Sequence, residues 1–405
     1  MRDNTTIYGE WGVPTVINGV GTRSQVSGSL IRPEAVDAME EASKEHVYVA
    51  DLQAYASERI AEATGADAGL VTAGAASGLA LAAAACIAGD DYGIMQQLPK
   101  TKGIADEIVL PRAHRCKYDI SLRATGATLI GAGPVSHHPV GGGTDNVKPW
   151  EIEAAITEDT VAIAYLSRPY NQLDLETVTT IADENDVPVI VDAADDVRPS
   201  ERMGEFFEQG ANLVSFSGGK TIGGPQSTGI LAGDEELVRS AALQTIPDGY
   251  HQDVWSPPQQ YVSADRLAGV PPNGIGRTMK VAKEEIVGLL VALESYLEED
   301  NDTVIDRMYD RASRMASQLS ENDHLETDLA HEHEHRPPTV VVALAPEPDV
   351  IDAATLVSRL RNETPRVWIG ENRLHRNEVD ISPKCLTDEE ADYVVERILA
   401  SVGSS

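Results

Sequence analysis

Lysine is the first shortage: nine in 405 residues. The 32 basic residues face 65 acidic ones, a formal charge of −33. A protein that grips DNA or tRNA needs a basic stripe to displace counterions. No such run occurs, so nucleic acid is not an expected partner. Cysteine appears three times, at Cys86, Cys116 and Cys385, too few and too scattered for a disulfide framework. No apolar stretch approaches membrane-spanning length, and the opening "MRDNTTIYGEWG" has no apolar signal core. Membrane insertion is therefore not expected, and a soluble, cytoplasmic protein is.

What is present is a normal apolar content, 42%, in a chain long enough for one large domain and a smaller one. The acidic residues are spread along the chain. They read as a solvated coat over a folded body, one that keeps it soluble where salt screens surface charge. Residues 1–50 read as an irregular arm followed by a helix. Residues 51–270 read as a large domain. Residues 271–405 read as a linking helix, "RTMKVAKEEIVGLLVALESYLEED", and a small C-terminal α/β domain. Within the large domain seven short β-branched runs alternate with helical patterns: "GLVTA", "EIVL", "ATLIGAG", "TVAIAYL", "VPVIVDAA", "NLVSFS" and "TGILAG". This is the signature of a doubly wound α/β fold with a mostly parallel, doubly covered sheet.

The chemistry turns on "FSGGKTIGGPQSTG", residues 216–229. A phosphate-binding P-loop would need a glycine where Val214 stands and a helix after the lysine. Gly223, Gly224 and Pro225 forbid that helix. The alternative is a nucleophilic lysine. Lys220 follows an apolar strand in a turn with little bulk, and a desolvated amine there can form a Schiff base with an aldehyde. Ser217 could offer a hydroxyl to a phosphate beside it. Taken alone, the turn fits an ordinary surface lysine as well. Two further features bear on the choice. Asp192 closes the strand "PVIVD" at the edge where open α/β sheets hold ligands, where it could partner a pyridinium nitrogen or cap a helix. Gly74 leads a strand into an Ala-rich helix whose first amides, at Ala75, Ala76 and Ser77, would form an anion site. Cradle, aspartate and lysine occur in the order and spacing of fold-type-I pyridoxal 5′-phosphate (PLP) enzymes.

On "GVPTVINGVGT", "LQAYASERIAEATGADAGLVTAGAASGLALAAAACIAG", "VIVDAADD", "FSGGKTIGGPQSTGIL" and "GIGRTMKVAKEEIVGLL", the chain resembles the selenocysteine-synthase-like branch of those enzymes. That branch holds bacterial seryl-tRNA(Sec) selenium transferase and D-glucosaminate-6-phosphate ammonia-lyase. The resemblance covers roughly residues 8–300. It implies an aspartate-aminotransferase-like fold and PLP as cofactor. Lys220 would be the Schiff-base lysine and Asp192 the pyridinium partner. Gly74, Ala75, Ala76 and Ser217 would hold the phosphate. His114 would pack over the ring, although "PRAHRCKYD" equally fits a helix-start histidine. Arg277, Arg23 and Gln226 become candidate substrate contacts; for Arg23 and Arg277 a surface salt bridge is the plain alternative. At least a homodimer is implied. The acidic, lysine-poor composition resembles proteins of salt-loving archaea.

The chain also departs from the branch. Gly223 stands where an arginine is usual, "VDAADDVRP" is more acidic, and the insert "TIPDGYHQDVWSPPQQYVSAD" is long. With no tRNA-binding domain in evidence, the expected reaction is α,β-elimination. A small β-hydroxy amino acid or amino-sugar acid would pass through an aminoacrylate to a 2-keto acid and ammonia. A sulfur or selenium transferase, an aminotransferase and a PLP-fold regulatory protein are the alternatives. "AHEHEHRPP", with His331, His333 and His335, reads as a polar loop and not a metal site. No metal is expected.

Overall fold

The seven apolar runs form one sheet. In the computed structural model, which describes residues 6–134, 147–168, 171–247, 249–262, 267, 269–331 and 337–402, the strands are as follows. They are β1 (Val16–Gly19), β2 (Ala68–Thr72), β3 (Glu107–Pro111), β4 (Thr128–Ala132), β5 (Thr160–Leu166), β6 (Val189–Asp192), β7 (Leu213–Ser217), β8 (Gly229–Gly233), β9 (Leu325–Ala330), β10 (Thr339–Leu344), β11 (Arg366–Ile369) and β12 (Glu378–Ile381). The chain divides into two compact units, residues 31–298 and residues 1–30 with 299–405.

The larger unit carries a seven-stranded sheet in the order β2-β8-β7-β6-β5-β3-β4. β4, β3, β5, β6 and β7 run parallel, and β8 is antiparallel to both β7 and β2. Every residue of β2, β7 and β8 is buried. Their sequences, AGLVT, LVSFS and GILAG, are small or apolar apart from a few hydroxyls, as expected where helices cover both faces and no residue of these three strands meets water. One core layer joins Ile60, Val109, Ile163, Val191, Phe216 and Leu289; the other joins Leu70, Leu81, Ile108, Ile190 and Leu231.

The smaller unit is built on a different plan. β12-β10-β9 form an antiparallel sheet, and β1 pairs in parallel with β11, Val16 opposite Arg366. Helices Asn301–Leu319, Ala353–Arg361 and Asp388–Val402 share a core with these strands through Met315, Leu356 and Ile398.

Two organisational expectations change. The N-terminal arm is not wholly irregular, because its "VING" is β1 and joins the C-terminal strands. Its first thirty residues cluster with residues 299–405, and the larger unit spans residues 31–298. The expected linking helix is shorter. Its first residues form a 3₁₀ turn, Ile275–Thr278, and the helix proper spans Lys283–Leu297. It packs its apolar face, Ile286, Leu289, Leu290 and Leu293, into the larger unit's core.

Candidate active site

In a sheet whose strands are covered on both faces, polar chemistry is confined to strand ends. β6 and β7 are adjacent and parallel, Asp192 opposite Ser215. Asp192 therefore ends β6 beside the turn that β7 feeds, and Lys220 lies in that turn. Burial pushes the Asp192 carboxyl up. The amide of Ala194, donating to Oδ1 at 3.1 Å, then the Lys220 ammonium and the Arg168 guanidinium, hold it back down. Lysine and aspartate are thus within electrostatic reach of one another.

The lysine turn is tied from within and from its flank. Gly218 N–H donates to the Thr228 carbonyl at 2.9 Å, Gly224 N–H to Gly218 at 2.8 Å and Gly223 N–H to Lys220 at 3.1 Å. No helix follows the lysine, and the chain turns directly into β8. Gln226 returns against Gly219, where a Cβ would come 2.2 Å from its Cα. Thr221 Oγ1 donates to Asp195 Oδ1 at 3.1 Å, pinning the residue after the lysine to the loop after Asp192. In the same loop Asp196 accepts from Ser167 Oγ at 2.6 Å and from Arg202 at 3.3 Å. The acidic departures of "VDAADD" thus brace the strand ends.

The phosphate-cradle candidates meet the same edge. Ser217 pairs with Gly229 at the start of β8, and Gly229 pairs with Thr72 at the end of β2. Gly74 then begins helix Ala75–Ala88 with φ +99°, and Gly78 N–H is bonded to its carbonyl at 3.0 Å. The amides of Ala75, Ala76 and Ser77 precede that first helical bond, as the opening amides of any helix do. A Cβ on Gly74 would meet nothing within 4 Å, whereas one on Gly229 would lie 2.5 Å from Gly74 C and 2.6 Å from Ala75 N. The helix start thus sits on bare backbone with open space ahead of it. A phosphate monoester fits this arrangement, with a lysine after β7, two strands away, and a carboxylate at the end of β6, the next strand.

His114 closes the 3₁₀ turn after β3 and is 1% exposed. Its Nδ1 accepts the Leu166 amide at 3.3 Å, which leaves the ring proton of the neutral imidazole on Nε2. Tyr165 meets it edge-on, centroids 4.7 Å apart. Sequence reasoning missed Arg168, which follows β5 and lies near both Asp192 and Cys116. The only signal was its place just beyond "TVAIAYL". It also missed Arg32, whose Nε donates to the Ile222 carbonyl at 2.7 Å and whose side chain packs on Gly223 at φ +78°. A guanidinium therefore stands beside Gly223.

Arg277 lies in the 3₁₀ turn Ile275–Thr278 and lines a cavity whose described lining includes none of Lys220, Asp192 and His114. Arg23 belongs to the smaller unit, at the start of the 3₁₀ turn Ser24–Val26. His333, His335 and the "HH" at 137–138 lie outside the described residues. No cluster of three metal-ligating side chains occurs among the described residues.

Residues 124–260 match the DegT/DnrJ/EryC1/StrS aminotransferase family. The sheet and its strand order have the fold-type-I architecture of PLP-dependent enzymes. Among curated proteins, the chain is 28% identical to a 5′-C-glycyluridine monooxygenase-decarboxylase of Streptomyces sp, over 98% of this chain and 92% of that protein. It is 26% identical to the D-glucosaminate-6-phosphate ammonia lyase of Salmonella typhimurium (strain 14028s / SGSC 2262), over 97% and 96%. A solved D-glucosaminate-6-phosphate ammonia-lyase superposes with a TM-score of 0.79 at 23% identity, over 99% of both chains. The cysteine desulfurase CsdA of Escherichia coli superposes at 0.55 with 16% identity, over 96% of this chain and 94% of that one. These structural likenesses carry the fold. No described helix is long and apolar enough to cross a membrane.

Proposed function

We propose that the protein is a PLP-dependent ammonia-lyase acting on an amino-sugar acid or a small β-hydroxy amino acid. The observation that carries this reading is the convergence at one sheet edge of Lys220, Asp192 and the open helix start at Gly74. The full-length relationship to an ammonia lyase supports the choice of reaction.

Bound PLP supplies an electron-accepting ring that makes the proton on a substrate's Cα removable. Lys220 would hold the cofactor's aldehyde carbon and, once released by substrate, take the Cα proton on Nζ. Its turn, closed by the amides of Gly218, Gly223 and Gly224, limits the arc through which Nζ can move. Asp192 would accept a hydrogen bond from the ring nitrogen and keep a proton there. The Ala194 amide and the nearby cations keep this buried carboxyl ionisable. The amides of Ala75 and Ala76, with Ser217, would hold the phosphate. His114, fixed by the Leu166 amide and Tyr165, would cover the ring face. Arg277, Arg23 and Gln226 remain our candidates for substrate contacts.

We further assign the chain to the selenocysteine-synthase-like branch, on the motifs quoted above. A cytoplasmic homodimer adapted to high salt is the working form we infer from composition and branch.

The test is to reconstitute the protein with PLP in high salt. Ammonia release is then followed with D-glucosaminate 6-phosphate and with D- and L-hydroxy amino acids. A visible absorbance band, and ammonia formed in step with a 2-keto acid, are expected. A colourless protein sinks the cofactor assignment; a coloured one that moves amino groups without freeing ammonia sinks the lyase.

A further inference from the structure

Within the larger unit a cavity of about 360 Å³ lies beside the end of β2, walled by Tyr48, Tyr250, Trp255 and Tyr261, with Arg277 and Lys280 at its side. Its size is in the range of small-molecule sites. Its charge is out of keeping with the rest of the chain. Acidic residues outnumber basic ones two to one overall, yet the described lining has two cations and no Asp or Glu. Among the described residues no carboxylate pairs with Arg277 or Lys280. On so acidic a protein, two cations facing a cavity unpaired leave room for an anionic ligand.

The polar groups of the wall narrow the ligand further. Gln53 is committed to backbone at both ends of its amide, donating to the Val71 carbonyl at 3.0 Å and accepting the Val71 amide at 3.1 Å. Thr72 Oγ1 donates to the Gly74 carbonyl at 3.1 Å. Thr245 Oγ1 donates to Ala242 at 2.7 Å and lies 3.2 Å from the Tyr261 hydroxyl. Burial and the Tyr250 hydroxyl push the Tyr48 phenol up to about 12, so it stays neutral. A polyhydroxyl sugar entering here would leave hydroxyls unmatched, each at the cost of its lost hydration. Flat aromatic surface is what remains on offer. Tyr48 meets Tyr250 edge-on at 6.3 Å, and Tyr250 meets Trp255 at 6.5 Å and 40°. Such faces favour offset or edge contact with another ring. Tyr250, Trp255 and Tyr261 all come from the long insert.

We propose that this cavity binds a flat aromatic ring bearing a phosphate or carboxylate, the ring against Tyr250 and Trp255 and the anion on Arg277 and Lys280. The inference goes beyond the lyase reading: Arg277 would serve this cavity in place of the substrate contact proposed above, and Lys220, Asp192 and the helix start at Gly74 are not called on. Binding is measured without turnover, so ammonia release can fail while the titration succeeds, and the reverse.

Calorimetric titration of the PLP-reconstituted protein tests it, with uridine 5′-monophosphate, phenyl phosphate, glucose 6-phosphate and inorganic phosphate as probes. At least one of the first two is expected to bind about tenfold or more tighter than either of the last two. A preference for the uridine compound would point to a nucleotide; parity with phenyl phosphate would point to the bare ring. Tyr250→Leu should erase the advantage of the ring-bearing probes, and Arg277→Gln should weaken every phosphate about tenfold. Circular dichroism checks each variant. If Arg277→Gln does not fold, Lys280→Gln, at an exposed position, takes its place and should weaken binding in the same direction. Equal affinity for glucose 6-phosphate, no binding by either ring-bearing probe, or unchanged affinity in the folded cation variant overturns the proposal.

Discussion

The two units handle polar side chains in opposite ways. In the larger one, strands such as β2, β7 and β8 are buried on both faces, and the polar residues that matter sit past their ends. In the smaller one, burial alternates along β12 and falls away along β9, so polar residues occupy strand interiors and face water. The arginines do not divide along the same line. In the smaller unit Arg311 and Arg314 share Asp388, Arg361 meets Glu371, and Arg397 grips Glu363 with two hydrogen bonds at 2.7 and 2.8 Å. In the larger unit Arg59, Arg115, Arg202 and Arg239 pair with carboxylates in the same way, whereas Arg168 stands by the Asp192 carboxyl at the site and Arg277 by a cavity without Asp or Glu in its described lining. In so acidic a chain, then, an arginine's neighbours separate scaffold from site better than its presence does.

Substitutions can break or sharpen that contrast. Lys220→Ala should show the largest effect, lowering kcat by about 10⁴-fold or more and removing the visible band while the melting temperature barely moves. A coloured, active variant would dissolve the distinction. Gly229→Ala comes next, since its methyl would press on Gly74 and Ala75. A loss of about 1–3 kcal/mol of stability is expected, together with weaker PLP retention on dialysis.

Asp192→Asn should uncouple activity from stability. Burial sets the folded pKa of Asp192 above its ordinary value of 3.8. Its contribution to stability is therefore full below that value and is lost as pH rises through the folded pKa. The cofactor-free asparagine variant should melt higher than the parent at neutral pH, with the gap closing as pH falls toward 4 and turnover lost throughout. A variant that melts lower at neutral pH would mean that Lys220 and Arg168 outweigh burial. The smallest effect belongs to the smaller unit. Arg397→Gln should cost about 1 kcal/mol or less, with activity unchanged and the loss reduced by added salt.

Much of the larger unit was legible because its signals are local. Seven apolar runs became seven strands of one sheet, and Asp192 at the end of one run and Lys220 in the turn after another could be read from those runs directly. The smaller unit was harder to read. β1 is four residues of a polar-looking arm, and its partner β11 lies some 350 residues away, a pairing that no local period encodes. Helix Asn301–Leu319 went unassigned because its apolar face is narrow: among its buried residues are Ala312, Met315, Ala316 and Leu319. Arg168, Thr221 and Asp195 gain their places only when three separate strands are laid side by side. A lone arginine before a proline carries no such signal.

The Ala75–Ala88 helix bears on how this enzyme could change. Ala82, Ala83 and Ala84 are wholly enclosed, with Leu79 and Leu81 beside them. Alanine at so many successive positions lets the helix lie close against the sheet, leaving little slack for it to slide or tilt. Divergence toward new substrates would then have to come from segments outside this helix, such as residues 245–262, while the seat beneath stays fixed. Lineages could exchange their chemistry's reach without ever moving its anchor.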